Sequence, residues 1–222
     1  AQRLRDAEFS DLKLLGGNII DFELPNFARS VLHGSSAHYD GVAALLYVDR
    51  RGAPENTQLG SNLQGKISWF RAIMKLSNKT RQTLYITETN WPLIGTEPFA
   101  PAAGDCMVDE NQQAAYLVRY YLLALATGQV EAIYWHQLVA PGYGLIDNRG
   151  SSIRKRRAFF AFKTLKKYFT HSQITQFYQL DKLWIIVAEQ NQCRVTAIWT
   201  NDEILSCSID SLQVLSASSA PE

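Results

Sequence analysis

The run Thr83-Leu84-Tyr85-Ile86-Thr87-Glu88-Thr89-Asn90-Trp91-Pro92 carries a short apolar strand into a carboxylate and then breaks at a proline. Where parallel strands alternate with helices around a barrel, catalytic groups stand at the carboxyl ends of the strands, so Glu88 is placed where a substrate would lie. Asn90 and Trp91 add a hydrogen-bonding amide and a broad apolar face. That pair suits a ligand that is polar at its edge and apolar on its flat side, as a sugar ring is. A solvated loop carboxylate is the plain alternative for Glu88. No metal-ligand cluster, phosphate-cradling glycine loop or nucleophilic triad accompanies it. His33 and His38 sit in a polar loop with no partner at ligand spacing, and Cys106, Cys193 and Cys207 are too widely spaced to hold a metal together. Neither a metal nor a cofactor is expected.

The elements that would position Glu88 repeat along the chain. Leu14 to Phe22 reads as a strand with a Gly16-Gly17 break, followed by a short helix from about Pro25 to Leu32. Gly41 to Tyr47 is a nearly continuous apolar run, as expected of a strand buried on both faces, and Leu63 to Leu76 carries apolar residues at helical spacing. The third unit pairs Leu84 to Thr87 with a helix from about Glu110 to Thr127, Asp109 being its expected N-cap and Gly128 its stop. The fourth runs from Glu131 to Trp135, through a loop bearing Pro141, Gly142 and Gly144, into a helix from about Lys155 to Phe169.

Beyond Thr170 the pattern changes to strands alone: Ile174 to Tyr178, Leu183 to Ala188, Arg194 to Trp199, Ile204 to Ile209 and Leu212 to Leu215. The alternation of Val195, Ala197 and Trp199 with Arg194, Thr196 and Thr200 predicts an antiparallel sheet with one face packed, on the flank of the preceding layer. Residues 1–170 are therefore read as a partial (β/α) barrel and residues 171–222 as a small antiparallel β-domain.

With 222 residues, 46% of them apolar, and a net charge of +1, the chain describes a globular protein with a sizeable core. The near-zero charge offers no field for nucleic acid, and the basic run Arg154-Lys155-Arg156-Arg157 reads as solvated cations opening a helix. No apolar run approaches the roughly 20 residues that span a bilayer. The first residues, Ala1 to Asp6, have neither a signal peptide's apolar segment nor an initiator Met, so the chain is expected to be processed, truncated or excerpted. Cys193 and Cys207 could pair across neighbouring strands, with buried free thiols as the favoured state.

Taken together, strand-end Glu88 in its Ile-Thr-Glu-Thr-Asn-Trp-Pro setting, strand-end Tyr47 and strand-end Trp135 resemble the last four units of a known enzyme class. Gly144-Leu145-Ile146-Asp147 leading into Arg157 to Lys163, and the helix Asn111 to Tyr120, add to the match. The chain resembles the C-terminal half of a retaining glycoside hydrolase of the superfamily with two glutamates on a (β/α)8 TIM barrel (clan A), and is most similar to family 39-like bacterial proteins found with polysaccharide-synthesis enzymes. The resemblance covers almost the whole chain; its weight lies in the combination of motifs.

The resemblance implies a fold of barrel units five to eight followed by a β-domain, and hydrolysis of an oligo- or polysaccharide by double displacement. Glu88 would be the nucleophile, Tyr47 would hold and orient its carboxylate, Trp135 would floor the pocket by stacking on the sugar, and His136, Asn90 and Trp91 would contact substrate. Tyr47 also fits a core tyrosine and Trp135 a barrel plug, while packing is the favoured role weighed for Trp91, as for Trp69, Trp184 and Trp199, the last two in the appended sheet. In such enzymes the acid/base Glu follows an Asn at the end of the fourth strand, ahead of the first strand here. Asp21 and Glu23 lie at the correct end of a strand but match no Asn-Glu pattern. The implied partner is the N-terminal half of the barrel, in the same longer chain or in a second one, since half a parallel barrel leaves two open strand edges. The compartment implied is bacterial cytoplasm or periplasm. The competing expectation is a carbohydrate-binding or scaffolding module without chemistry; a parallel-sheet transferase would need a nucleotide-binding loop.

Overall fold

The computed structural model describes residues 12–21, 23–48, 52–77, 83–97, 99–100, 106–190 and 193–201. Four strands, β1 (Leu15–Ile20), β2 (Gly41–Leu45), β3 (Thr83–Thr89) and β4 (Val130–Trp135), form one parallel sheet in chain order. Helices α1 (Leu24–Leu32), α2 (Leu63–Met74) and α3 (Glu110–Ala126) make the crossovers. The sequential order is what short right-handed crossovers produce, and it gives the four consecutive βα units expected from the sequence.

Central β2 is enclosed from Gly41 to Ala44, which is why its sequence is apolar without alternation. Gly41 is required there: a Cβ at this position would lie 2.9 Å from the Thr83 carbonyl of β3 and 2.9 Å from the Leu15 side chain of β1. Edge strands β1 and β4 are more open, with Ile20 52% and Tyr134 53% exposed. Helix starts are fixed locally. Asn62 caps α2 by accepting from the Gly65 amide at 2.9 Å, and Asp109 with Gln112 forms a reciprocal capping box on α3. Gly128, at φ 61°, ends the turn after α3 as expected.

The loop after β4 differs from expectation. Helix α4 spans Arg157–Phe169, and the two residues before Arg156 instead form a strand, β6 (Arg154–Lys155), antiparallel to β5 (Ile146–Asp147). The basic run is thus divided: Arg154 and Lys155 are exposed, whereas Arg156, at the N-cap of α4, is 1% exposed. Spacing alone treats the four cations alike; the difference arises because the preceding loop folds back over Arg156 and supplies its acceptors.

Strands β7 (Gln173–Leu180), β8 (Leu183–Gln190) and β9 (Cys193–Thr200) form an antiparallel sheet in that order. Trp184 and Ile186 of β8 belong to the same buried cluster as β2, β3 and the helices, so this sheet shares the core of the parallel layer. Trp184 faces Trp199 across the ladder, their rings stacked at 6.2 Å. The strands anticipated at 204–209 and 212–215 lie outside the described residues, as does Cys207. Cys106 and Cys193 are free thiols, and Cys193 is exposed where a buried thiol was expected, because it starts the edge strand β9. Among the described residues no helix is long and apolar enough to cross a membrane.

Candidate active site

Parallel pairing brings the strand ends into one row. Ile20 lies opposite Leu45, Leu45 opposite Glu88, and Thr89 opposite Trp135, so the residues that follow β1, β2 and β4 gather around Glu88 at the carboxyl edge. β3 carries one residue more than either neighbour at this edge: Ala44 and Leu45 of β2 face Ile86 and Glu88, and Ile133 and Trp135 of β4 face Ile86 and Thr89. Such a bulge re-aims the side chain beside it. Here that side chain is Glu88.

The Tyr47 hydroxyl donates a hydrogen bond to Glu88 Oε1, and both side chains are half-buried. A phenol has one proton to give, and giving it to a carboxylate fixes that carboxylate's orientation. The backbone repeats the link, Leu46 N–H donating to the Glu88 carbonyl at 3.2 Å. Behind Leu46 its carbonyl accepts from the Tyr120 hydroxyl. Burial pushes the Tyr120 phenol well above its ordinary value, so this donor keeps its proton throughout the working pH range.

On the other flank, Trp135 is half-buried with its indole N–H 3.3 Å from the Tyr143 carbonyl. Trp91 is 1% exposed, stacks on Trp135 at 5.9 Å and 22°, and donates its indole N–H to the Gly52 carbonyl at 3.0 Å. Full burial is the packing role weighed for Trp91: its ring backs that of Trp135. Asn90 is likewise enclosed, at 3% exposure, and its side chain is not open to solvent. His136 is half-buried and stacked on Tyr143 at 5.5 Å and 16°, held by its amide to the Thr89 carbonyl at 3.1 Å. The peptide following it, to the exposed Gln137, is cis.

Asp21 and Glu23 are both otherwise engaged. Asp21 Oδ1 accepts from the Tyr47 amide at 2.8 Å and lies 3.5 Å from Lys66 Nζ. Glu23 is exposed at the start of α1 and accepts from Asn26 Nδ2 at 2.6 Å.

Several supporting residues escaped the sequence reading. Gln113, fully buried on α3, donates to the carbonyls of Trp91 at 2.8 Å and Tyr143 at 3.2 Å, joining the loops after β3 and β4. Lys66 is 2% exposed on α2. Each left one trace in the sequence, a polar residue in register with an apolar helical stripe: Lys66 among Leu63, Ile67 and Phe70, Gln113 with Leu117 and Tyr120. Arg156 donates to the carbonyls of Ala140 at 2.9 Å, Gly144 at 2.7 Å and Pro141, and so shapes the loop that carries Tyr143. Among the described residues no group of three or more His, Cys, Asp or Glu could hold a metal ion.

No family model and no curated protein sequence matches this chain. Among solved structures it is similar to a family 39 glycoside hydrolase from the gut symbiont Bacteroides cellulosilyticus WH2, with TM-score 0.62 and 14% identity over 78% of this chain and 36% of that one. It is similar also to the GH51 arabinofuranosidase from Xanthomonas axonopodis pv. citri, with TM-score 0.62 and 15% identity over 84% of this chain and 43% of that one. At these identities the likeness is one of fold, that of a partial TIM barrel. The chain spans less than half the length of either structure.

Proposed function

We propose that this chain supplies the nucleophile half of a retaining glycosidase acting on an oligo- or polysaccharide. The observation that carries the reading is the Tyr47 hydroxyl donating to Glu88 at the carboxyl end of adjacent parallel strands. A carboxylate aimed in this way suits attack on an anomeric carbon, forming a glycosyl-enzyme ester that water then cleaves. Trp135 offers the half-buried aromatic face on which a sugar ring stacks, and His136, anchored on Thr89 and Tyr143, stands beside it to meet a hydroxyl.

Retaining hydrolysis needs a second carboxyl group about 5 to 5.5 Å from the first, acting as acid and then base. With Asp21 committed to Lys66 and Tyr47, we assign that group to the N-terminal half of the barrel, on the same longer chain or a second one, which would also close against edges β1 and β4. Residues 1–170 then form the barrel half and 171–222 the β-domain.

The test is Glu88→Gln in the complete barrel, an exchange that keeps the shape and removes the attacking charge. Turnover of glycosides should be lost while sugar binding survives; equal hydrolysis by wild type and variant excludes the mechanism. The commitment of Asp21 also favours a second reading, a carbohydrate-binding module without chemistry. A complete protein that binds oligosaccharides and hydrolyses none of them would select it.

A further inference from the structure

We propose that Lys66 and Asp21 are positioning residues that set the aim of Glu88 by gripping the backbone of Tyr47; the functional meaning of this rests on Glu88 being the nucleophile. Tyr47 lies two residues beyond the end of β2. Leu46 is still held through its backbone, by the Glu88 carbonyl and the Tyr120 hydroxyl. At Tyr47 side chains take over from the sheet. Its amide N–H donates to Asp21 Oδ1 at 2.8 Å, and its carbonyl accepts from Lys66 Nζ at 2.6 Å. The residue is therefore held from both sides by the two members of one ion pair, Nζ and Oδ1 being 3.5 Å apart. Its hydroxyl, at the far end of a rigid ring, carries that placement to Glu88 Oε1.

The surroundings indicate that the arrangement serves placement as well as folding. Lys66 occupies the buried stripe of α2 beside Leu63, Ile67 and Phe70, where an apolar side chain would suit the helix at least as well. An ammonium in that position is tolerable only if its protons find acceptors, and besides Tyr47 and Asp21 it has Gln58 Oε1 at 2.7 Å. Asp21 stands at φ 25°, outside the regions that L-residues favour, and its amide is tied to the Leu45 carbonyl at 3.1 Å. A backbone held in such a region persists where the surrounding contacts over-determine it. An apolar pair at positions 21 and 66 would remove the acceptor that Asp21 offers the Tyr47 amide and the donor that Lys66 offers its carbonyl, and so loosen the hold on the ring that meets Glu88.

The test follows the Glu88 carboxyl-carbon resonance in the intact protein by NMR at neutral pH, in wild type, in Tyr47→Phe and in the double variant Asp21→Ala/Lys66→Met. The double variant removes one charge of each sign, which keeps the direct electrostatic change at Glu88 small. Tyr47→Phe should displace the Glu88 resonance, since it removes the hydrogen bond donated to that carboxylate. The double variant should displace it in the same direction. A double variant with wild-type circular dichroism whose Glu88 resonance stays at the wild-type position overturns the proposal, as does Tyr47→Phe without a displacement. If the double variant does not fold, a crystal structure of Asp21→Ala decides: Tyr47 should move away from Glu88, and a Tyr47 hydroxyl still bonded to Glu88 overturns the proposal. Neither readout depends on turnover. Failure of the glycosidase reading, seen as hydrolysis that survives Glu88→Gln, is therefore distinguishable from failure of this one.

Discussion

Arg156 meets Asp147 with Nη2 3.1 Å from Oδ2, a guanidinium with no exposed side-chain surface against a carboxylate that is 8% exposed. Arg149 and Arg154 grip the same carboxylate, at 2.8 Å and 3.2 Å. Hydrogen bonds from Arg149, reinforced by the neighbouring guanidinium groups, hold the Asp147 carboxyl far below the usual carboxylate range. A group depressed in this way stabilises the fold above the unfolded carboxylate value of about 3.9, and that contribution fades as pH falls through and below it. Asp147→Asn should therefore be destabilising at neutral pH by about 1 to 3 kcal/mol, the worth of hydrogen bonds to a charged group, since Arg156 keeps its carbonyl acceptors and Glu110 at 3.6 Å. Denaturant midpoints of wild type and variant should begin to converge only as pH falls below about 4, and should keep converging down to the strongly acidic range in which folded Asp147 takes up its own proton.

Tyr47→Phe should leave the fold nearly intact, since it removes one half-buried hydroxyl. It should lower kcat/KM for a glycoside by about tenfold to a hundredfold, the equivalent of a hydrogen bond to a charged group worth roughly 1.5 to 3 kcal/mol. Unchanged kcat/KM would contradict the role given to the hydroxyl.

The two stacked indoles should separate on mutation. Trp135→Ala should weaken oligosaccharide binding by on the order of twofold to tenfold, the size of an aromatic stacking term of about 0.5 to 1.5 kcal/mol. Trp91→Ala should instead destabilise the protein by about 3 to 5 kcal/mol, as removal of a fully buried indole does. Calorimetric titration with sugar and thermal unfolding, run on both variants, check the division.

Glu55, in the loop after β2, accepts from Arg119 Nε of α3 at 2.8 Å and from the Trp199 indole of β9 at 2.7 Å. Glu55→Ala should loosen the antiparallel sheet as well as the loop, costing about 3 to 5 kcal/mol because Arg119 is left half-enclosed without its carboxylate. Amide hydrogen exchange in β9 should accelerate in this variant. Glu55→Gln, which keeps an acceptor for Trp199, should be milder.

The parallel sheet was legible because periodicity reports burial directly: the unbroken apolar stretch at Gly41 to Leu46 could belong only to an enclosed strand, and Asp109 and Gly128 bounded α3 as their chemistry requires. Glu88, Tyr47 and Trp135 were legible as strand ends. Whether the Trp135 ring is enclosed was not, since a strand-end indole serves as well for a barrel plug as for an open face, and only the packing of Trp91 against it shows how it is backed. Lys66 and Arg156 were missed for a related reason. A cation reads as solvated unless its acceptors are known, and theirs are mostly backbone carbonyls, at Tyr47, Ala140, Pro141 and Gly144, which every residue possesses.

The extra residue in β3 gives the chain an unequal tolerance to two kinds of genetic change. Side chains along a strand alternate faces with a period of two, so adding or removing one residue between Ile86 and Glu88 would turn the carboxylate away from Tyr47 while leaving composition and hydropathy almost untouched. Substitutions at Thr87, half-buried and bonded through its hydroxyl to the Ala44 carbonyl at 3.3 Å, would be absorbed locally. Across descendants of this gene, β3 should thus drift in spelling yet keep its count, and a one-codon deletion there should be as silencing to the site as the loss of Glu88 itself.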